Sequence, residues 1–225
     1  MLQISDERPS DSPWVDAIWR GQTDRAGSRI APAGSCWVML FEKRARQVQL
    51  SVVGPMAKAQ PMNYEGDTEF LAVKFKPGTF MPRLPASDLL DTVITLPEAA
   101  GRSFWLDDAT WQFPDYENVE TFVKRLAREG ALLHDRVVEA ALQDQPLPLS
   151  PRSIQRRFLQ ITGLTRNVIR QIARARQAML RLQQGASIMD TVFELGYTDQ
   201  PHMTKSLKHF VGQTPAQLAR QSQRG

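Results

Sequence analysis

The stretch from Ser187 to Gln217 reads SIMDTVFELGYTDQPHMTKSLKHFVGQTPAQ, and its pattern predicts two short amphipathic helices joined by a tight turn. Ser187 followed three residues later by Asp190 is typical of a capped helix start, with a carboxylate at the positive end of the helix. Gly196 permits the left-handed backbone that ends this first helix. A second helix is expected to begin at Thr198, which is a favourable N-cap residue.

The second of these helices is predicted to have an apolar stripe and a polar face. Met203, Leu207 and Phe210 recur at helical spacing, so they are expected to point inward. The outward positions carry mostly donors and cations, and they are Gln200, Pro201, His202, Thr204, Lys205 and Lys208. Such a face suits base edges and phosphates in the DNA major groove better than a catalytic task. A solvated helical hairpin would explain the stretch equally well if it stood alone.

Residues 194–217, ELGYTDQPHMTKSLKHFVGQTPAQ, closely resemble the C-terminal signature of the AraC/XylS family of transcription regulators. The shared features occur in the family's order: a Gly-aromatic turn, Asp-Gln, Lys-x-Phe-x-Gly and Thr-Pro. A long ordered match favours the DNA-reading interpretation over the solvated hairpin. The resemblance implies sequence-specific binding to double-stranded DNA through two helix-turn-helix units.

An earlier stretch, SPRSIQRRFLQITGLT at residues 150–165, predicts the first of these units. Ser150 is expected to cap a helix that has Pro151 at its first position and ends near Gly163. The predicted buried stripe consists of Ile154, Phe158 and Ile161. This stretch resembles the first helix-turn-helix of the same family. The turn before this helix departs from the family, because QPLPLS at residues 145–150 replaces a Gly-hydrophobic-Ser turn. Only the helix that runs through Gln143 is then available to position the recognition helix.

The family resemblance implies a role for individual residues on both reading helices. The expected base-reading residues are Arg152, Gln155, Arg156, Gln200, Pro201, His202 and Lys205. The expected phosphate contacts are Ser150, Arg157, Thr198, Thr204 and Lys208. Arginine pairs with guanine and glutamine with adenine in the major groove, each at about 1–3 kcal/mol of discrimination. Pro201 offers only an apolar contact, such as one to a thymine methyl, and Lys205 stands where an arginine is common.

A single long helix is expected between the two units, over about residues 165–184. Its predicted inward stripe is Val168, Ile172, Ala175, Met179 and Leu182. Reading heads that enter successive grooves on one face of DNA sit about one helical turn, roughly 34 Å, apart. A rigid helix at this place would hold them at such a fixed separation.

Charge is divided unevenly along the chain. Residues 1–145 contain 16 Lys+Arg and 21 Asp+Glu, a net charge of −5, whereas residues 146–225 contain 12 and 3, a net charge of +9. The basic part is the part with the reading helices, as expected for a surface that follows a phosphate backbone. We therefore do not expect the acidic part to contact DNA.

The first 130 residues show strand patterns rather than long helical ones. Strands are predicted at Cys36–Phe41, Val48–Val53 and Phe70–Phe75, after an extended or loosely structured start at residues 1–30. A short helix is expected within residues 84–96, an irregular segment over 97–114, and a helix at about 117–129. These patterns predict an α+β chain: a small, mainly antiparallel N-terminal β domain with helices, then an all-α domain of two helix-turn-helix units joined by a long helix. The expected domains are 1–130, for sensing or dimerisation, and 131–225, with units at about 131–163 and 187–219.

Two segments of the N-terminal part, VVGPMAKAQ at 52–60 and FLAVKFKPGTF at 70–80, resemble the poorly characterised sensor-like domain of some AraC-type regulators. The resemblance implies control by a small-molecule effector or by self-association as a homodimer, with RNA polymerase as a further partner. The five tryptophans of this part fit either a plain core or an effector pocket. A second hypothesis makes the chain a DNA-bound adaptor whose N-terminal domain binds a protein partner.

Several functions are disfavoured by the residue inventory. The only histidines are His134, His202 and His209, so residues 1–133 have none for a metal cluster or an acid–base relay. The single cysteine, Cys36, excludes an internal disulfide. With no phosphate loop or nucleophile elbow, we expect no enzyme, cofactor or metal. An acidic start and short apolar runs predict a cytoplasmic protein with no membrane partner.

Overall fold

The computed structural model describes residues 2–45, 47–100, 102–106 and 108–222. The strands are β1 (Leu2–Pro9), β2 (Val15–Thr23), β3 (Gly27–Ala31), β4 (Val38–Arg44), β5 (Gln47–Val53), β6 (Gln60–Tyr64), β7 (Thr68–Phe75), β8 (Thr79–Phe80), β9 (Val93–Leu96), β10 (Glu98–Ala99), β11 (Ser103–Leu106), β12 (Ala109–Gln112) and β13 (Leu133–His134). The helices are α1 (Ala86–Leu89), α2 (Val119–Arg128), α3 (Arg136–Leu142), α4 (Pro151–Thr162), α5 (Arg166–Gln183), α6 (Ile188–Glu194), α7 (Gln200–Phe210) and α8 (Pro215–Ser222). This order confirms the predicted α+β class.

The chain divides into two compact units that each contain several stretches of sequence. The first comprises Met1–Gly27, Cys36–Pro55 and Asn63–Thr165. The second comprises Ser28–Ser35, Met56–Met62 and Arg166–Gly225. The sequence-based domain division at residues 130 and 131 stays a prediction.

The first unit is built on a six-stranded antiparallel sheet in the order β1-β2-β7-β4-β5-β9. At the end of β7, Val73 and Phe75 are fully buried, as predicted, while Lys74 and, just after the strand, Lys76 are partly exposed. The predicted turn follows at Gly78, whose φ of 93° needs a glycine. Strands β4, β5 and β7 confirm the three predicted strands.

Helix α2 packs against one face of this sheet. Four apolar side chains of α2 are buried, at the positions that the sequence predicted: Val119, Phe122, Val123 and Leu126. Phe122 makes edge contacts with Phe41 and Phe104, at ring-centroid distances of 5.8 and 6.1 Å. Trp37 and Trp111 are buried in the same core, whereas Trp105 is 46% exposed. Two of the five tryptophans are therefore core residues.

Two predictions for the N-terminal part differ from the structure, and a third was left open. The start of the chain was expected to be extended or loosely structured, and it is extended, because it forms β1, β2 and β3. The expected helix within residues 84–96 stops at Leu89; Asp91 then turns the chain with φ 57°, and the β-branched run of β9 pairs with β5. The segment 97–114, expected to be irregular, forms β10–β12, because the Phe104–Trp111 pair of β11 and β12 is buried.

The half-buried Glu42 on β4 makes the stability of the first unit depend on pH. Burial, and then the carboxylate of Glu65, raise the pKa of Glu42 above its ordinary value of 4.5. The folded state therefore binds this proton more tightly than the unfolded state, and stability is lost as pH rises through the folded pKa.

We expect Glu42→Gln to raise the free energy of unfolding at pH 7 and to leave it nearly unchanged at pH 3.5, where wild-type Glu42 is protonated in both states. Urea unfolding at the two pH values measures the difference. Glu98→Gln, at an exposed glutamate, is the matched control. An equal effect of both substitutions at pH 7 would contradict the assignment to Glu42.

The second unit is helical apart from strands β3 and β6, which pair with each other. Helix α5 packs against α7 and α8 and confirms the predicted long helix. Its buried residues are Ile169, Ile172, Ala175, Ala178 and Leu182. Val168 and Met179, predicted in this stripe, are half-buried beside it. Within the described residues, no helix is both long and apolar enough to span a membrane.

Candidate nucleic-acid interface

Helix α4 begins and ends where the sequence predicted. The Ser150 hydroxyl accepts from the Ser153 amide at 3.2 Å, and Pro151 occupies the first turn. Gly163 ends the helix with φ 68°, and its amide donates to the Leu159 carbonyl. Within the first unit, α4 packs against α1 and α3.

The two faces of α4 separate apolar from polar residues. Phe158 is fully buried and Ile161 nearly so, whereas Ile154 is only half-buried. The exposed face carries all three base readers predicted for this helix: Arg152, Gln155 and Arg156. Two guanidinium groups and one amide therefore face solvent on one helix, and these are the donors that guanine and adenine edges require.

Arg157 of α4 has an ion-pair partner on α3's N-terminal cap. Its guanidinium lies 2.6 Å from a carboxylate oxygen of Asp135, whose side chain is 10% exposed. The same carboxylate caps α3 by accepting from the amides of Val137 and Val138. Arg157 therefore links α4 to the start of α3.

We expect Arg157→Ala to lower the free energy of unfolding by about 1 kcal/mol, since Arg157 itself is half exposed. The reason is that the nearly buried Asp135 carboxylate loses its cation. Urea unfolding measures this loss, and Arg152→Ala, at an exposed arginine of the same helix, is the control. A stability loss of the same size in both variants would show that the Arg157–Asp135 pair is not stabilising.

The second helix-turn-helix starts as the sequence predicted. The Ser187 hydroxyl accepts from the Asp190 amide at 3.0 Å, and Gly196 turns the chain with φ 66°. Tyr197 follows, buried, with its hydroxyl 3.3 Å from the Ser206 hydroxyl. The Arg174 guanidinium of α5 lies over the Tyr197 ring at 4.5 Å from its centroid. The Gly-aromatic turn is thus held from α5 and from α7.

The N-cap of α7 is Asp199, not Thr198 as predicted. A carboxylate oxygen of Asp199 accepts from the His202 amide at 2.7 Å. The Thr198 amide instead donates to the His202 ring at 3.3 Å. Both residue types are good caps, but with Thr198 as the cap the third helical position would be Pro201, which has no amide to donate, whereas with Asp199 as the cap it is His202.

The exposed face of α7 borders an open groove with a volume of about 880 Å³. Its lining residues are Gln200, Pro201, Thr204, Lys205, Lys208 and His209. Five of these are predicted contacts. His209 was not predicted, although its spacing of four residues from Lys205 places both on one face. His202 is exposed but turns its ring edge-on to Tyr197, at a centroid distance of 5.3 Å.

Helices α4 and α7 have the same spacing between the N-cap residue and the closing glycine. In each, the closing left-handed glycine lies thirteen positions after the cap, from Ser150 to Gly163 and from Asp199 to Gly212. Counted from the caps, Arg152 corresponds to Pro201, Gln155 to Thr204 and Arg156 to Lys205. Gln200 and His202 correspond to Pro151 and Ser153 rather than to base readers of the first helix.

The two turns before these helices differ in length. Eight residues, 143–150, separate α3 from α4, whereas five, 195–199, separate α6 from α7. The longer turn is the QPLPLS departure seen in the sequence. Helices α3 and α6 nevertheless have seven residues each, so α3 does supply a positioning helix of the expected size.

The few acidic side chains of the basic segment are all engaged. Residues 146–225 contain only Asp190, Glu194 and Asp199. Asp190 accepts from the Ser187 hydroxyl, Glu194 pairs with Arg181, and Asp199 caps α7. The negative charges of this segment are thereby compensated locally, which leaves its cations to set the potential.

Comparison with known proteins gives two family matches. A family model described as a helix-turn-helix domain, of the AraC type, matches residues 145–221. A model described as a domain of unknown function, DUF6597, matches residues 9–95. No curated protein and no solved structure gave a significant match. The chain therefore has an AraC-type helix-turn-helix domain at residues 145–221, preceded by a DUF6597 domain at residues 9–95, and this arrangement is consistent with a regulator of the AraC/XylS family.

Proposed function

We propose that this regulator reads the major groove of duplex DNA with both α4 and α7. The proposed base readers are Arg152, Gln155 and Arg156 on α4 and Gln200, Pro201, His202 and Lys205 on α7. The observation that carries the proposal is the repeated plan of the two helices: equal cap-to-glycine spacing, with a cation exposed at the equivalent positions Arg156 and Lys205. Two helices with similar exposed faces can each enter the major groove of one duplex, at two successive turns.

The proposed phosphate contacts are Ser150, Arg157, Thr198, Thr204 and Lys208. Lys208 and Thr204 line the groove beside α7, so they are well placed to flank base readers. Of these proposed phosphate contacts, the one at Arg157 has the least support, because a phosphate would have to compete with the carboxylate of Asp135 for its guanidinium group. His209 is a further candidate, since it lines the same groove.

Control of DNA binding is proposed for the DUF6597 domain, through a small-molecule effector or self-association, with RNA polymerase as the downstream partner. The alternative is an adaptor whose N-terminal domain binds another protein. Tryptophan emission can separate these, because Trp37 and Trp111 report on the core and the exposed Trp105 reports on the surface. A saturable change with a metabolite fraction favours an effector, and a change only with a copurified protein favours the adaptor.

Selection of genomic fragments by the full-length protein tests DNA reading directly. At physiological ionic strength we expect enrichment of promoter fragments that share one motif over scrambled DNA of equal composition. The same selection with Arg156→Ala and Lys205→Ala should lose different parts of the motif. Equal recovery of promoter and scrambled DNA, with and without cell extract, would overturn the proposal.

A further inference from the structure

The recognition helix α7 ends against backbone from the N-terminal third of the chain. Two segments, Ser28–Ser35 and Met56–Met62, belong to the same compact unit as α7 and are named here the first and second arms. Both arms lie within the DUF6597 match, at residues 9–95. The second unit therefore contains more than the helices of the helix-turn-helix match.

The arms supply hydrogen-bond donors to the open end of α7. A helix leaves its last carbonyl groups without intrahelical partners. Here the Phe210 carbonyl accepts from the Ala33 amide at 2.7 Å, and the His209 carbonyl accepts from the Ala59 amide at 2.8 Å. One donor comes from each arm, so two carbonyls of the last turn depend on them.

The arms are themselves held in place within this unit. Ala33 is fully buried, and its carbonyl accepts from Nε of Arg176 on α5 at 3.0 Å. Gly34 and Met56 exchange two backbone hydrogen bonds, at 2.9 and 2.8 Å, which tie the first arm to the second. A continuous set of bonds thus runs from α5 through both arms to the end of α7.

Gly212, which follows the end of α7, lies against both arms. A Cβ at this position would lie 2.4 Å from Cγ2 of Ile30 and 3.3 Å from Cβ of Ala59. Gly196 provides a matched comparison in the same helix-turn-helix. Its φ of 66° resembles the 78° of Gly212, yet a Cβ there would meet nothing within 4 Å.

We infer that the two arms are part of the second DNA-reading unit and position α7 from its C-terminal end. Ala33, Ala59 and Arg176 are then positioning residues for DNA recognition, although none of them is a proposed DNA contact. This inference rests on the proposed function, in which α7 reads bases. It makes the DUF6597 segment a structural component of the reading head, so that any change in the arms is transmitted to α7.

The test compares charge-neutral substitutions in the full-length chain, with a duplex recovered by selection with the wild-type protein as probe. Gly212→Ala and Gly196→Ala carry the same left-handed strain, but only the first presses on Ile30. We expect Gly212→Ala to bind the duplex about tenfold more weakly than Gly196→Ala. Its loss of base preference should be confined to the half of the site read by α7. Adding Ile30→Ala removes the contacting methyl group and should restore affinity to within about threefold of Ile30→Ala alone.

The outcomes separate this inference from the proposed function. If the wild-type protein selects no motif, the proposed function fails. If it selects a motif but both glycine variants weaken binding equally, or Ile30→Ala gives no rescue, the arms do not position α7. Hydrogen exchange of the unmodified chain is a further test that does not depend on any variant folding. The Ala33 and Ala59 amides are expected to be protected from exchange. Exchange of these two amides at unprotected rates would overturn the inference.

Discussion

Phe158→Ala is expected to lower the free energy of unfolding by about 3–5 kcal/mol, more than any other substitution proposed for this protein. Phe158 is the fully buried residue of α4, and truncation leaves a cavity that the surrounding side chains fill only in part. Its neighbour Leu159 is 44% exposed, so Leu159→Ala should cost less than about 1 kcal/mol. Urea unfolding of both variants, followed by tryptophan emission of the first unit, measures the contrast.

The contrast between these neighbours also tests the orientation of α4. A register in which Phe158 points inward leaves Arg152, Gln155 and Arg156 on the outer face. Equal losses for the two variants would mean that α4 is rotated, and the proposed base readers on it would then have to be reassigned. Retention of DNA affinity by Leu159→Ala would show that the exposed apolar residue is not itself part of the interface.

Local chemistry explains why the helix ends of the two helix-turn-helix stretches were predictable. Ser150 and Ser187 act as caps through atoms within three residues of themselves, and Gly163 and Gly196 end helices through their own φ. None of these features requires knowledge of a distant partner. The family signature then joined such local elements into two predicted units, and a helix-turn-helix family model matches residues 145–221, which include both reading helices predicted from the sequence.

Distant pairing explains most of what the sequence did not reveal. Strands β9, β11 and β12 have four residues each, too few to display a period, and their partners decide their conformation. The cap of α7 is a local exception, because Pro201 has no amide for a Thr198 cap to bind, and the sequence already contained that signal. The arms are the extreme case, because their donors are backbone amides that every residue except proline possesses.

Arg156→Ala and Lys205→Ala are expected to relax base preference, each at one position within the half-site read by its own helix. A bidentate arginine–guanine contact discriminates by about 1–3 kcal/mol, and a lysine, as a point charge, should give the smaller effect. Competition binding with duplexes substituted at single positions measures the loss. The two residues occupy equivalent places on α4 and α7, counted from the caps.

Lys208→Ala is the matched control, because it also removes one cation from the exposed face of α7. As a proposed phosphate contact, Lys208 should contribute equally to every sequence, so its loss should weaken binding evenly and reduce the slope of log affinity against log salt by about 1. If Arg156→Ala behaved in the same even way, Arg156 would be a phosphate contact. If Arg156→Ala changed neither preference nor affinity, Arg156 would not be a base reader, and any reading by α4 would have to rest on Arg152 and Gln155.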